Sequence, residues 1–199
     1  MEMVMNNYTS NLRLTELPDI LKTLRSGGLI LFPSDTVWAV GCDATHTGAV
    51  RRLYSLKNRP TEDPFLLLVD SIDMLKGFVR HVHPRIETLL YFHNRPLTII
   101  YDAPVGLPEE LIAPDGTVAI RVVQDEFCRN FIHALGKPVV ATTAYREPGQ
   151  IPRHFGEIQS DILEGVDWVA KHRQKERQFE SLSVIARLDA QEELEFIRD

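Results

Sequence analysis

The segment that most constrains the fold of this chain covers residues 28–59. It begins with a continuous apolar run, Leu29 to Phe32, which ends at Pro33. A short apolar run between breaking residues is typical of a buried β-strand. Small polar residues follow directly at 34–36. The sequence therefore predicts a strand whose end carries hydroxyl and carboxylate groups.

The second half of this segment predicts a helix that returns two cations towards the strand end. Residues 41–47, rich in Gly, Asp and Thr, are interpreted as loop and helix-start residues. The core-facing positions of the helix are Val50, Leu53 and Tyr54. Lys57 and Arg59 lie at its end, and ligands of open α/β sheets bind at strand ends. Cations at a helix C-terminus also complement the helix dipole without any ligand, so both interpretations stay open on spacing alone.

The rest of the chain alternates predicted helices and strands, which indicates an α/β fold. The predicted helices cover 15–26, 70–78, 84–93 and 125–135, with a short helical turn at 109–112. The predicted strands cover 65–69, 97–101, 117–123, 139–143, 166–170, 183–188 and 194–197. Because the spacing between strands is irregular, we expect a mixed sheet. We interpret residues 144–154 as a loop and the charged run 171–180 as a solvated, mobile loop.

Length and composition fit a single domain over residues 1–199, with its core at about 15–188. No segment approaches the ~20 apolar residues that a transmembrane helix needs, and we expect no membrane partner. The first residues lack the basic and apolar regions of a signal peptide, so we expect a cytoplasmic protein. The net charge of -6 argues against an affinity for nucleic acid spread over the whole surface.

The sequence disfavours three kinds of site. Cys42 and Cys128 belong to no C-x-x-C pair, which indicates two reduced thiols rather than a disulfide or a thiolate zinc site. His81 and His83 lack carboxylates at suitable spacing, so we expect no metal site in the protein. The loop G-x-x-x-x-G-K-[ST] is absent, which excludes the ordinary P-loop chemistry of ATP.

Five short segments, in order, resemble motifs of the YrdC-like family. Pro33–Trp38 is similar to its PT(D/E)TVYG signature, and Lys57–Pro60 to its K-x-R-P segment. The other three are Arg95–Thr98, Thr117–Arg121 and Lys137–Ala144, which resemble PGPLT, the VAVR strand and KP(I/V)VSTSA. The similarity runs from about residue 15 to the last residue. It implies a single YrdC-like α/β domain, with an open, twisted, mixed β-sheet flanked by helices and a concave ligand cleft.

The resemblance implies an L-threonylcarbamoyladenylate synthase, which is a nucleotidyltransferase. Its substrates would be threonine, bicarbonate and ATP, and its products threonylcarbamoyl-AMP and pyrophosphate. Mg²⁺ would be carried by the phosphates of ATP rather than held by the protein. Separate transfer proteins would use the product for the threonylcarbamoyladenosine modification of tRNA.

The resemblance also implies roles for single residues. Lys57 and Arg59 would be catalytic, because a compact ammonium and a planar guanidinium can divide anionic groups between them. The substrate-binding residues would be Thr36, Arg121, Ala141 and Ser183. The nucleotide-binding residues would be Arg59, Asp63, Thr117 and Thr143. From the residues alone, Thr36 is equally well explained as a turn hydroxyl that caps local backbone, and Arg121 as a surface ion pair.

Four positions depart from the family pattern. Tyr145 replaces an asparagine, and its ring either stacks on adenine or fills an apolar gap. Val184 loses a hydroxyl, and Asp63 stands where asparagine is frequent. Leu68 cannot make the contact of the substrate-facing histidine of some archaeal members. Two alternatives follow: a paralogue with a nucleotide cleft and a different amine or carbamoyl substrate, or a non-catalytic module that contacts tRNA or double-stranded RNA.

Overall fold

The structure, a computed structural model, describes residues 15–146, 151–177 and 182–199. Within these ranges the strands are β1 Ile30–Pro33, β2 Trp38–Asp43, β3 Leu66–Val69, β4 Leu97–Tyr101, β5 Val118–Val122, β6 Val139–Thr143, β7 Trp168–Val169, β8 Val184–Leu188 and β9 Leu194–Arg198. They form one sheet in the order β7-β1-β2-β6-β3-β5-β4-β8-β9. The pairs β1–β7, β3–β5 and β4–β8 are parallel, and the other neighbours are antiparallel. The predicted mixed sheet is confirmed.

Helices flank the sheet and connect its strands. They are α1 at 15–25, α2 Thr47–Lys57, α3 Ile72–Lys76, α4 Pro84–Phe92, α5 Glu126–Leu135 and α6 Ser160–Gly165, with 3₁₀ turns at Glu109–Leu111 and Phe155–Glu157. Capping explains the limits of α5. The Asp125 carboxylate accepts a hydrogen bond from the Cys128 amide at its start, and Gly136, at a φ of 73°, closes its end. Pro84 occupies the first turn of α4, as predicted.

The prediction that residues 41–47 form a loop and a helix start is wrong for Gly41 and Asp43. Both lie in β2, which pairs antiparallel with β1 and with β6. Every residue of β2 is buried, so the strand lacks the polar alternation that marks a half-buried strand. Its glycine is a packing requirement, because a Cβ on Gly41 would lie 2.1 Å from the carbonyl oxygen of Val140.

The hydrophobic core lies between the sheet and its helices. The predicted core positions of α2 are buried, and α5 buries Phe127, Phe131 and Leu135. The rings of Phe131 and Phe32 meet edge to face with centroids 5.3 Å apart, which joins α5 to β1. Cys42 and Cys128 are buried and unpaired, in agreement with the predicted reduced thiols, and burial raises the pKa of both.

The stretch after β6 differs from its prediction in two places. The sequence predicted no element where α6 forms. The charged run at 171–180 is not solvated throughout, because the His172 ring is buried and stacks on Phe127, with centroids 4.7 Å apart. Arg173 is half-buried and reaches Asp125, so partners at the neighbouring helix overcome the polar composition. Residues 147–150 and 178–181 of the two predicted loops, and 1–14, lie outside the described residues.

The described residues contain no candidate for a membrane-spanning helix or for a metal site. None of their helices combines the length and apolar character needed to cross a bilayer. No group of three or more of their His, Cys, Asp or Glu side chains is arranged to hold a metal ion.

Candidate functional site

A cleft of about 450 Å³ opens on one face of the sheet. Register places its floor residues side by side, because directly paired residues of neighbouring strands share a face. The pairs in the floor are Ala39 with Thr143, Leu66 with Ala141, Thr98 with Arg121, and Ile100 with Ala119. Several of these side chains are alanines, which leaves room above the sheet for a ligand.

Every residue that was predicted to bind substrate or nucleotide lines this cleft. These residues are Thr36, Arg59, Asp63, Thr117, Arg121, Ala141, Thr143 and Ser183. They come from five separate parts of the sequence and meet because β5 lies between β3 and β4 in the sheet. Lys57 does not line the cleft. The structure thus brings the set together, while the role of each residue stays a prediction.

Arg121 is a buried cation in the cleft floor. Its side chain is 3% exposed, and its Nη2 lies 2.9 Å from Oδ1 of Asp35, which is buried as well. Its Nη1 lies 3.4 Å from Oγ1 of Thr36, and its Nε has no hydrogen-bond partner within the described ranges. Arg121 is therefore not a surface ion pair. An unpaired buried N–H is costly, and a ligand oxygen would satisfy it.

The turn between β1 and β2 carries the hydroxyls of Ser34 and Thr36, which make different contacts. Ser34 caps the local backbone, because its Oγ accepts from the amide of Val37 at 3.3 Å and donates to the Val37 carbonyl at 2.7 Å. Thr36 Oγ1 instead lies 3.0 Å from Ser34 Oγ and faces Arg121. The hydroxyl that caps the local backbone in this turn is therefore that of Ser34, and not that of Thr36, for which this role was an open alternative.

Arg59 enters the cleft from the turn that ends α2. Asn58 adopts a left-handed conformation, with a φ of 47°, and its amide bonds back to the last turn of the helix. Nη2 of Arg59 lies 2.5 Å from Asp63, and its guanidinium lies 5.0 Å from the centroid of the Phe65 ring. Nε of Arg59 has no hydrogen-bond partner among the described residues. The guanidinium is thus held in position while its Nε–H stays unused.

Lys57 lies behind the cleft wall rather than in it. Its ammonium donates to the carbonyl of Thr143 at 2.7 Å and also to the carbonyl of Tyr145. Nζ lies 4.7 Å from the centroid of the Tyr145 ring. Burial, and secondly the charge of Arg59, lower the pKa of Lys57 to about 8. Lys57 therefore joins the end of α2 to the segment that follows β6.

The other side of the cleft is built by the hairpin of β8 and β9. Oγ of Ser183 lies 2.8 Å from Oγ1 of Thr98, and both residues are buried. Arg198 donates to the carbonyl of Ser183 through Nε at 3.0 Å and through Nη2 at 2.8 Å. Burial, and secondly the charge of Arg121, lower the pKa of Arg198. The cleft therefore has a third guanidinium, opposite Arg59.

The positions that depart from the family pattern occupy different environments. Tyr145 lines the cleft, and its ring lies 4.7 Å from the ammonium of Lys57. Leu68 pairs with Arg121 across β3 and β5 but is fully buried and does not line the cleft. Val184 is buried next to Ser183 and likewise does not line it.

Sequence reasoning missed Asp35, Thr98 and Arg198 as parts of the site. Asp35 was noted only as a small polar residue after the first strand, and its contact with Arg121 joins the turn between β1 and β2 to β5, which is not a neighbour of either strand in the sheet. Thr98 lies inside a segment that resembles a family motif, which was a usable signal. Arg198 had no local signal, because its position follows from an irregular register between β8 and β9.

The cleft is suited to polyanionic ligands. Arg59, Arg121 and Arg198 line it, and its lining includes the hydroxyls of several serine and threonine residues. The described lining contains neither histidine nor cysteine, so it offers no nucleophile beside a basic side chain of that kind. Its chemistry would rest on positioning reactants and neutralising charge.

Comparison with known proteins connects this cleft to a described family. The sequence pattern of the family Sua5_yciO_yrdC, with the description "Telomere recombination", matches residues 22–199. The chain is 27% identical over 166 residues to a threonylcarbamoyl-AMP synthase of Marinobacter nauticus, covering 79% of this chain and 87% of that protein. It is 32% identical to the protein of that name from Hydrogenovibrio crunogenus, covering 62% of this chain and 68% of the relative.

Solved structures share the fold. The crystal structure of P. abyssi Sua5 complexed with L-threonine has a TM-score of 0.78 at 21% identity, with 90% of this chain and 51% of that chain covered. The present chain thus spans about half of that protein. E. coli YciO has a TM-score of 0.76 at 20% identity, with 96% and 89% covered.

Proposed function

The chain belongs to the Sua5/YciO/YrdC family, and on that premise we propose that it is an L-threonylcarbamoyladenylate synthase. The observation that carries the proposal is the convergence of all predicted substrate and nucleotide residues on one cleft with three guanidiniums. Threonine, bicarbonate and ATP are all anionic or carry a carboxylate, and such a cleft neutralises their combined charge. Relatives that bear the name threonylcarbamoyl-AMP synthase support the same assignment.

The proposed reaction has two bond-forming steps. The amine of threonine attacks the carbon of bicarbonate, and loss of water leaves a carbamate. A carbamate oxygen then attacks the α-phosphorus of ATP, the bond to the bridging oxygen of the β-phosphate breaks, and pyrophosphate leaves. The cleft lowers the barrier by holding the anions in line. Mg²⁺ would arrive with the ATP phosphates, and no side chain of this protein is assigned to it.

Threonine would bind around Arg121. The unpaired Nε–H of Arg121 is the donor for the threonine carboxylate, and Asp35 holds the guanidinium through Nη2. Thr36 and Ser183 supply hydroxyls at two sides of this group, and Ala141 leaves space in the floor. The L-threonine complex of P. abyssi Sua5, which shares the fold, supports threonine as the amino acid.

ATP would bind between Arg59 and Arg198. Arg59 and the Thr143 hydroxyl would contact the phosphates, and Thr117 the nucleoside end. Asp63 would act by holding the Arg59 guanidinium rather than by touching ATP. Lys57 would set the position of the Thr143 carbonyl and place a positive charge behind the phosphates. Lys57→Ala is therefore expected to abolish the synthase activity while the protein stays folded.

The first experiment is a reaction of the purified protein with ATP, Mg²⁺, bicarbonate and labelled threonine. Threonylcarbamoyl-AMP is detected by mass spectrometry, and each component is omitted in turn. Product that requires threonine and bicarbonate supports the proposal, and its loss in Arg121→Gln ties the activity to the cleft. Tyr91→Phe, on an exposed face of α4, is the matched control. A protein that binds ATP but forms no product with threonine refutes the proposal.

The second candidate is a paralogue that uses another amine, and one observation favours it. Tyr145 lines the cleft where the family pattern has an asparagine. Pyrophosphate release measured across the standard amino acids separates the candidates. A rate with another amino acid that exceeds the threonine rate would favour the paralogue.

The product would be consumed by separate transfer proteins in the cytoplasm that act on tRNA. The alternative of an RNA-binding module predicts binding to tRNA or duplex RNA that weakens as salt rises. Absent or salt-insensitive binding in a filter assay would eliminate this alternative.

A further inference from the structure

A second cavity, of about 480 Å³, lies at one end of the sheet. It is bounded by the loop before α4, by the residues that follow β4, and by the turn between β8 and β9. We refer to it as the end cavity. Ile100 and Thr117 line both the end cavity and the cleft, so the two spaces are neighbours with a common wall. The proposed synthase reaction uses none of the other residues of the end cavity.

Tyr101 brings a buried and unpartnered hydroxyl to this cavity. The residue is 6% exposed and lines the end cavity, and its phenolic oxygen has no hydrogen-bond partner among the described residues. Burial raises the pKa of Tyr101, so the phenol stays protonated at neutral pH and keeps its O–H donor. Buried hydroxyls are normally hydrogen-bonded. The hydroxyl is therefore a donor without an acceptor in the wall of the end cavity.

Basic groups surround the same space. Arg80, His81, His83 and Arg187 all line the end cavity. Nδ1 of His83 accepts the amide of Arg85 at the start of α4, which places the proton of a neutral ring on Nε2. The N-terminus of this nine-residue helix adds partial positive charge. Nε of Arg187 already donates to Glu195 at 2.7 Å, so the remaining N–H groups of Arg187, together with Arg80 and the two imidazoles, are the donors for an anionic group.

Acidic residues also line the end cavity, and a ligand that is only an anion would leave them without hydrogen-bond donors. Asp189 is occupied within its own turn, because it accepts from the amides of Gln191 and Glu193. Asp102 and Glu192 remain at the cavity as acceptors, and Glu192 lies 3.4 Å from His83 Nε2. A ligand with both phosphate and hydroxyl groups gives the basic residues an acceptor and the acidic residues a donor. The volume also lies within the roughly 300–1,000 Å³ of small-molecule sites.

We propose that the end cavity binds a nucleoside monophosphate. The phosphate lies towards Arg80, Arg187 and the hydroxyl of Tyr101, and the sugar hydroxyls lie towards Asp102. The imidazole of His81 provides a flat surface at the mouth for the base. This site is separate from the cleft and does not depend on the proposed synthase reaction.

The test measures AMP binding by isothermal titration calorimetry. We expect the wild-type protein to show a binding step that Tyr101→Phe and Arg187→Gln each weaken about tenfold, as expected for one lost hydrogen bond to a charged group. Tyr91→Phe removes an exposed hydroxyl from α4 outside the cavity and is the matched control, with wild-type affinity expected. Wild-type AMP affinity in Tyr101→Phe at every binding step overturns the proposal.

Two further measurements separate ligand binding from a structural role. Without ligand, Tyr101→Phe should melt at or above the wild-type temperature, because the hydroxyl that it removes makes no bond in the protein. With AMP, its gain in melting temperature should be smaller than that of the wild type. Inorganic phosphate that displaces AMP from this step supports the phosphate contacts, whereas displacement by adenosine but not by phosphate overturns them.

Discussion

The ion pair between Asp35 and Arg121 gives the sharpest prediction for stability. Both side chains are nearly inaccessible, at 7% and 3% exposure, so water cannot replace a lost partner. Removing one member of a buried pair typically costs about 3–5 kcal/mol, because an uncompensated charge stays in the interior. For a chain of this size, each kcal/mol lowers the melting temperature by roughly 2–4 °C. Asp35→Asn, which keeps the shape of the side chain, is therefore expected to melt about 6–20 °C below the wild type.

The assay is urea unfolding followed by the fluorescence of the buried Trp38, together with a thermal scan. The matched control is Asp63→Asn, which breaks a pair in which Asp63 is 63% exposed and should cost less than ~1 kcal/mol. The double variant Asp35→Asn/Arg121→Gln removes both charges and should lose less stability than the sum of the single variants. Equal losses in Asp35→Asn and Asp63→Asn would refute the reasoning.

Three further predictions follow from single contacts. The pKa of Lys57 is about 8 in the native protein, below the ordinary value of 10.5 that applies to the unfolded chain. Between pH 8 and 10.5 the unfolded chain therefore binds more protons at this residue than the native protein does. The unfolding free energy of the wild type, relative to Lys57→Met, should thus rise from pH 8 to 10.5, and a flat difference contradicts this. Gly41→Ala brings a Cβ to 2.1 Å from a backbone oxygen and should cost more than ~2 kcal/mol in urea unfolding. The control is Gly48→Ala in α2, where the nearest atom lies 3.3 Å from the added Cβ and stability should change by less than ~1 kcal/mol. Equal urea midpoints for the two variants would contradict the argument. Arg198→Gln should weaken ATP binding about tenfold in calorimetry, and unchanged affinity would remove Arg198 from the site.

Local signals were sufficient for most helices and strands. The observed bounds of α4 and α5 lie within one residue of their predictions, because a first-turn proline and a C-terminal glycine mark those ends. β4 and β6 match their predicted bounds, since each is a short apolar run between polar segments. These elements could be predicted because the residues that specify them are neighbours in the sequence.

Tertiary contacts decide the parts that sequence reasoning missed. β2 is a strand because it lies between β1 and β6. In the sequence Gly41 resembles a loop glycine, and only its close contact with Val140 in the structure explains why a strand has glycine there. His172 is buried because Phe127 offers a ring to stack on. Contacts of this kind join residues that are far apart in sequence, so no local pattern contains them.

The sequence predicted which residues belong to the candidate site better than it predicted how those residues are arranged. Motif resemblance selected nine site residues, of which eight line the cleft, whereas the ammonium of the ninth, Lys57, lies behind the wall. The contact of Arg121 with Asp35 and the approach of Arg198 depend on strand order and on an irregular register. The binding roles, and the single domain over residues 1–199, stay predictions.

The strand order also has a consequence for synthesis on the ribosome. Ser183 and Arg198 come from the last hairpin in the sequence, and β8 of that hairpin pairs with β4. Because chains emerge N-terminus first, β1 to β6 are available well before this hairpin, and pairing between distant segments is slow. The cleft is therefore completed last, after residue 198 has left the ribosome. Occupancy of the cleft by a ligand would thus mark a chain whose translation has passed that point.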